Sequence, residues 1–162
     1  MFAGIGSQAK ALKNIGADVN VSGNEITIKR NMLKGITVDA GDIPDAVPII
    51  SVVAAACEGD TRIINAGRLR IKESDRIKSV ADMLSSVGVD ASETDDGIII
   101  HGGNILTGGT VNGYNDHRIV MALSLLCTVT GGVIDEAEAV AKSFPDFFEM
   151  ISKLGIKVEK QG

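Results

Sequence analysis

Four short stretches concentrate side chains that could hold and transform a small, highly charged molecule. They are Ile43–Ala46 with Asp45, Leu69–Ile77 with Lys72, Glu73 and Arg76, Asn115–Arg118 with His117 and Arg118, and Lys142–Phe148 with Lys142 at its head. Arg offers a planar fork that matches a carboxylate or phosphate, and Lys a compact point charge. Two of each suit a pair of substrates bearing phosphates and a carboxylate, with Glu73 and Asp45 as acid–base groups. Plainer uses stand beside these. Asp45 and Asp116 have the residue type of helix N-caps. Ser143 and Asp146 come close to a capping box. Lys72–Arg76 could be a solvated helix start, and His117 and His101 ordinary turn histidines.

The elements that must position these residues repeat. An amphipathic helix ending at Gly and running straight into an alternating strand recurs at Leu12–Val19, Leu84–Ala91 and Ile151–Val158. Glycine there fits the left-handed position that closes a helix. The first two instances lead into hairpin signals, Ser22-Gly23-Asn24 and Asp95-Asp96-Gly97. A strand end, polar turn, wholly apolar helix and Gly recur at Val38–Gly59 and Val111–Gly131. Gly16 and Gly88 lie 72 residues apart, as do Gly59 and Gly131, which points to duplication. Each unit reads strand, apolar helix, strand, amphipathic helix, hairpin, and the chain is expected to form a single domain. It holds the tail of one unit at 1–30, a full unit at about 35–101 and part of another at about 108–160. Beginning midway through a unit suggests a piece of a longer protein.

The apolar helices, Ala46–Cys57 and Ile119–Val129, have almost no polar face, so they should be wrapped by other elements. The charged stretches fall at helix N-termini, where unpaired N–H groups favour anions. Units packed side by side would open four such ends on one rim and bring Arg76, Arg118, Lys72 and Lys142 together.

Bulk properties narrow the classes. A composition of 44% hydrophobic and 23% charged residues is that of a globular chain. A net charge of -5 disfavours nucleic acid as a partner. Cys57 and Cys127 sit in apolar runs and read as buried reduced thiols; no metal site is expected from two Cys and two His at unrelated spacings. Met1–Ile5 has no charged leader segment, and no apolar run nears the roughly 20 residues that span a bilayer. A cytoplasmic protein with no membrane partner is expected.

Leu69–Ile77, Asn115–Arg118, Lys142–Phe148 and Ile43–Ala46 together resemble signature segments of 5-enolpyruvylshikimate-3-phosphate synthase, in that family's order. The resemblance extends over essentially the whole chain, which would correspond to a C-terminal part of the enzyme. It implies a mixed α/β fold of βαβαββ units, with sheets packed around buried parallel helices, and an active site in the cleft between two domains. It implies phosphoenolpyruvate and shikimate-3-phosphate as substrates, the missing N-terminal part as partner, and neither cofactor nor metal. By that resemblance Asp45 is the base toward the 5-hydroxyl, Lys72 lies near that hydroxyl, and Glu73 exchanges a proton with the methylene carbon. Arg76, Arg118 and Lys142 bind phosphoenolpyruvate, and His117 assists at the edge. Some members carry Asn four residues before the signature Lys; Arg68 stands there here, so that contact is not carried over. The chain alone is expected not to turn over. The alternatives are a fragment of the related UDP-N-acetylglucosamine enolpyruvyl transferase and a non-catalytic anion-binding module.

Overall fold

Helix ends marked by glycine set the frame. The computed structural model describes residues 3–29 and 31–161, so Met1 and Phe2 of the opening segment lie outside it. Helix α1 (Ala3–Ile15) stops at Gly16, whose φ of 111° lets its N–H reach back to the Lys13 carbonyl. The hairpin β1 (Asp18–Ser22) and β2 (Glu25–Lys29) turns over Gly23 and Asn24, with Ser22 opposite Glu25.

The next unit contains β3 (Thr37–Asp39), a 3-10 turn (Pro44–Ala46), α2 (Val47–Ala55) and β4 (Asp60–Ile64). A second 3-10 turn (Gly67–Ile71), α3 (Arg76–Ser86), β5 (Ala91–Thr94) and β6 (Gly97–His101) complete it. Its sheet runs β3-β4-β6-β5, with β3 parallel to β4 and the other pairs antiparallel. Then β7 (Thr110–Asn112), α4 (His117–Thr130), β8 (Val133–Asp135), a 3-10 turn (Ala137–Lys142) and α5 (Phe147–Lys153) repeat the pattern. Here β7 lies parallel to β8, as β3 does to β4. Among the described residues, no helix is long and apolar enough to cross a membrane.

Helices α2 and α4 meet in one core. Val47, Ile50 and Ala54 from α2 pack with Ile119, Leu123 and Leu126 from α4, and α3 adds Ile77, Val80 and Leu84. A smaller cluster joins Val120 of α4 to Val140, Phe147 and Ile151.

Several sequence expectations shift. The third helix–Gly phrase closes at Gly155 (φ 91°), but no strand follows, because residues 156–161 find no ladder partner among the described residues. The segment Lys72–Ser74 precedes α3 rather than opening it, and Lys142 ends a 3-10 turn rather than beginning α5. Asp146 is the residue before α5, but its side chain makes no cap bond, so the capping box does not form. Helix α4 is not wrapped on every side: Leu125 is 40% exposed and Val129 75%.

The reason lies in the second unit's sheet. In the first unit β6 covers the far edge of β4. The corresponding edge of β8 borders a groove of about 830 Å³, walled by α4, β8 and residues 156–161. Cys127 lines that groove and is only half-buried, against the expectation of two buried thiols, whereas Cys57 is fully buried. Burial pushes both thiols' pKa values up, so access must decide which reacts. Thiol labelling of the native chain should therefore modify Cys127 first and Cys57 only on unfolding. Equal labelling rates, read by mass spectrometry of digested protein, would contradict this arrangement.

Candidate active site

Three helix starts converge on one guanidinium. Arg76 is the first residue of α3, capped by Asp75, whose carboxylate accepts from the Lys78 N–H at 3.1 Å. Its side chain is 1% exposed. Nε donates to Asp116 Oδ2 at 2.7 Å, Nη1 to Asp45 Oδ1 at 3.0 Å and Nη2 to Glu73 Oε2 at 2.6 Å. A further bond runs from Nη2 to Asp116 Oδ1 at 3.3 Å. An Arg taken out of water must have its donors met, and these carboxylates meet them.

Asp116 is 0% exposed and caps α4, accepting from the Arg118 N–H at 2.9 Å and from the Ser74 hydroxyl at 3.1 Å. Burial alone would raise its pKa. The Arg76 guanidinium, the Arg118 N–H and the Ser74 hydroxyl outweigh that and hold it below its ordinary 3.8. Its plain N-cap reading was correct but incomplete: the same carboxylate also neutralises Arg76.

Asp45 is not the N-cap of α2; Ala46 is, and no side chain caps that end. Asp45 lies in the preceding 3-10 turn, where Arg76 and Arg118 each reach it at 3.0 Å and Lys72 at 3.8 Å. Arg118 also donates to the Asp45 carbonyl at 3.3 Å. The structure thus brings together Asp45, Lys72, Glu73, Arg76 and Arg118. Lys142 does not join them directly; its Nζ donates to the Asn115 carbonyl at 2.5 Å and Oδ1 at 2.7 Å. His117 opens α4, and its buried Nδ1 finds no hydrogen-bond partner among the described residues. His101 is a strand residue bonded to Asp60 at 2.8 Å, whose carboxylate raises the imidazole pKa.

Of the four cations expected on one rim, Arg76, Arg118 and Lys72 meet here, with Asp45 and Glu73 among them, while Lys142 sits on Asn115. Arg76, Arg118 and Lys72 are matched by Asp45, Glu73 and Asp116, so the linked cluster is balanced in charge. Arg68 donates to the Gly41 carbonyl at 2.5 Å and, with Pro44, Ile71 and Lys72, lines a cavity of about 210 Å³ beside the cluster. Sequence reasoning missed three supports. Ser74 fixes Asp116. Arg70 ties Asp75 at 3.0 Å to Glu93 at 2.9 Å. Tyr114 leads into the Asn115–Arg118 stretch and bonds Asp82 at 2.9 Å. Tyr114 (φ 53°) and Asn115 (φ 47°) are successive residues in left-handed backbone, as Asn65 and Glu136 are singly, at a cost of about 1–3 kcal/mol each. The sequence carried no signal for it.

The architecture of parallel β-α-β units around buried helices is that of the enolpyruvyl transferases. An enolpyruvyl transferase from Streptomyces tendae shares it over 95% of this chain, with a TM-score of 0.74 at 20% identity. The chain belongs to the EPSP synthase (3-phosphoshikimate 1-carboxyvinyltransferase) family, whose model matches residues 3–151. It is similar to the 3-phosphoshikimate 1-carboxyvinyltransferase of Clostridium novyi, 46% identical over 89% of this chain and 34% of that protein. The Methanosarcina acetivorans enzyme is 44% identical over 93% of this chain and 36% of its own length. A solved EPSP synthase of Acinetobacter baumannii superposes with a TM-score of 0.87 and 36% identity, covering 96% of this chain and 40% of that one. The chain thus spans about a third of the length of the curated relatives it matches. These relatives favour the shikimate reading over the UDP-N-acetylglucosamine one.

The Asp116–Arg76 pair makes a stability prediction. A carboxyl with a lowered folded pKa contributes stability that is full above its ordinary 3.8 and is lost as pH falls through the folded value. Asp116→Ala strands a buried guanidinium and should cost about 3–5 kcal/mol at pH 7. Urea melts should show that deficit shrinking as pH falls below 3.8, towards and through the folded value. A deficit independent of pH down to acid unfolding would contradict the pairing.

Proposed function

We propose that this chain supplies one wall of an active site that transfers the enolpyruvyl group of phosphoenolpyruvate to the 5-hydroxyl of shikimate-3-phosphate. The observation that carries the reading is the contact of Asp45 with Arg76, Arg118 and Lys72 while Glu73 holds another arm of Arg76. Two proton-handling carboxylates and three cations thereby share one hydrogen-bonded cluster, and family membership supplies the chemistry they would serve.

In this reading the carboxylate of phosphoenolpyruvate takes the Nη arms of Arg76 that Glu73 and Asp45 occupy, while the Nε bond to Asp116 remains. Arg118 binds the same substrate and Lys142 reaches its phosphate. Asp45 then accepts the proton of the 5-hydroxyl as that oxygen bonds to the substituted carbon of phosphoenolpyruvate, and Lys72 steadies the hydroxyl. Glu73, as the acid, protonates the methylene carbon, which leaves a tetrahedral intermediate. The carbon–oxygen bond to phosphate then breaks, the new methyl group returns a proton to Glu73, and inorganic phosphate departs with the proton that Asp45 had taken. His117 borders the reacting groups. Preorganised cations facing phosphate and carboxylate oxygens are the source of rate in such chemistry. Two anionic substrates need a second wall, so the chain by itself does not turn over. We place the reaction in the cytoplasm, a reading supported by two free cysteines.

Phosphate release from phosphoenolpyruvate and shikimate-3-phosphate is the test, run with this chain alone and with the complementary remainder of a family enzyme. Release should occur only in the mixture and fall by about 10²–10⁴ in Asp45→Ala or Glu73→Ala, the usual worth of a proton-transfer group. No release from a folded mixture would sink the assignment, and release by the lone chain would sink the two-wall model. The balanced cluster adds a second expectation. Glu73→Gln removes a competitor for Arg76 and should tighten phosphoenolpyruvate binding about two- to fivefold, as loss of one exposed ion pair allows. Calorimetric titration of the mixture showing weaker binding would refute that competition.

A further inference from the structure

Two successive residues without glycine's freedom, Tyr114 and Asn115, adopt left-handed backbone directly before Asp116. Such conformations persist only where surroundings over-determine them. Here four tethers do so. The Tyr114 N–H donates to Asn112 Oδ1 at 2.5 Å and the Asn115 N–H to Glu136 Oε2 at 2.7 Å. Lys142 holds both oxygens of Asn115. The Tyr114 hydroxyl donates to Asp82 Oδ2 at 2.9 Å, and Asp82 is shared with Lys78 at 2.7 Å. The turn has no room to relax inward, since a Cβ on Gly113 would lie 2.7 Å from both the Asp135 carbonyl oxygen and the Val120 side chain.

Three of the tethers fasten the turn to itself or to the β8–α5 connection. Only the Tyr114 hydroxyl reaches α3, the helix that begins with Arg76. The turn in turn delivers Asp116 and Arg118. Helix α3 and the start of α4 are therefore joined at two points, Arg76 with Asp116 and Asp82 with Tyr114. The second point lies away from the charged cluster and touches none of its members.

We propose that Tyr114 is a positioning residue for anion binding. Its hydroxyl, anchored on Asp82, fixes the strained turn so that Asp116 holds Arg76 and Arg118 faces Asp45. This rests on the proposed enolpyruvyl-transfer reading for the identity of the anion, but not for the positioning itself. Burial and the Asp82 carboxylate both raise the Tyr114 pKa, so the hydroxyl keeps its proton and remains a donor.

The test uses the whole chain and two readouts. The first is hydrogen exchange at the Arg76 Nε–H by nitrogen-15 NMR, which reports the Asp116 contact whether or not a ligand binds. The second is phosphoenolpyruvate titration. Tyr114→Phe should speed the exchange and weaken binding, each by about threefold to tenfold, the size that loss of one hydrogen bond sets. Val19→Ala, in the distant β1–β2 hairpin, serves as a control of lowered stability and should change neither. Asp82→Asn keeps an acceptor oxygen for Tyr114 and should stay near wild type, while Asp82→Leu should match Tyr114→Phe. If Tyr114→Phe does not fold, 3-fluorotyrosine at the chain's only tyrosine gives a fluorine signal that should shift on phosphoenolpyruvate binding.

Unchanged exchange and unchanged affinity in folded Tyr114→Phe overturn the proposal, as does equal behaviour of Asp82→Asn and Asp82→Leu or an unmoved fluorine signal on binding. If the wild-type chain shows a protected Arg76 Nε–H but no affinity for phosphoenolpyruvate, faster exchange in Tyr114→Phe upholds the positioning and counts against the anion assigned to this wall.

Discussion

A guanidinium removed from water governs the arrangement of this chain. Arg76 is almost wholly buried, and its hydrogen bonds go to Asp116, Asp45 and Glu73. Those acceptors come from the start of α4, the turn before α2 and the segment before α3. Satisfying one charge thus requires three chain segments to meet within hydrogen-bond distance. Burying such a group contributes little net stability, because desolvation offsets most of the attraction. Its effect is on specificity: a different register of the helix starts would leave a buried charge unmet.

The repeat supplies the means. Placing β3 beside β4 and β7 beside β8, both parallel, sets α2 and α4 in the same sense within one core. Their N-terminal turns then open on the same side, and residues near 45 and 117 become neighbours although more than 70 positions separate them. The two units differ where their sheets do. Covered by β6, the first is closed; the second leaves α4 with an exposed apolar flank and β8 beside a groove.

Charge balance also distinguishes this site from a simple anion trap. Three cations face three carboxylates, and the carboxylates include both groups proposed for proton transfer. In the proposed reading an incoming anion would have to exchange with Asp45 and Glu73 rather than fill an open field of positive charge. That exchange would couple binding to release of the acid–base groups from their ion pairs. Asp116 stands apart in being fully buried and bonded through Nε, so it would keep Arg76 oriented if the outer arms changed partners.

Much of this was legible along the chain. Glycines 72 residues apart gave the repeat, the three helix-closing positions proved left-handed, and apolar runs marked the two core helices. The types and spacing of Asp45, Lys72, Glu73, Arg76 and Arg118 were enough to single them out, because helix starts and periodicity are local properties. The sequence could not say that Asp116, a plain cap in local terms, also neutralises Arg76, nor that Lys142 grips Asn115, nor that Tyr114 anchors on Asp82. Those partners lie 40, 27 and 32 residues apart. Pairing across such distances leaves no periodic trace, and which charge meets which is decided only when packing excludes water and makes every unmatched group costly.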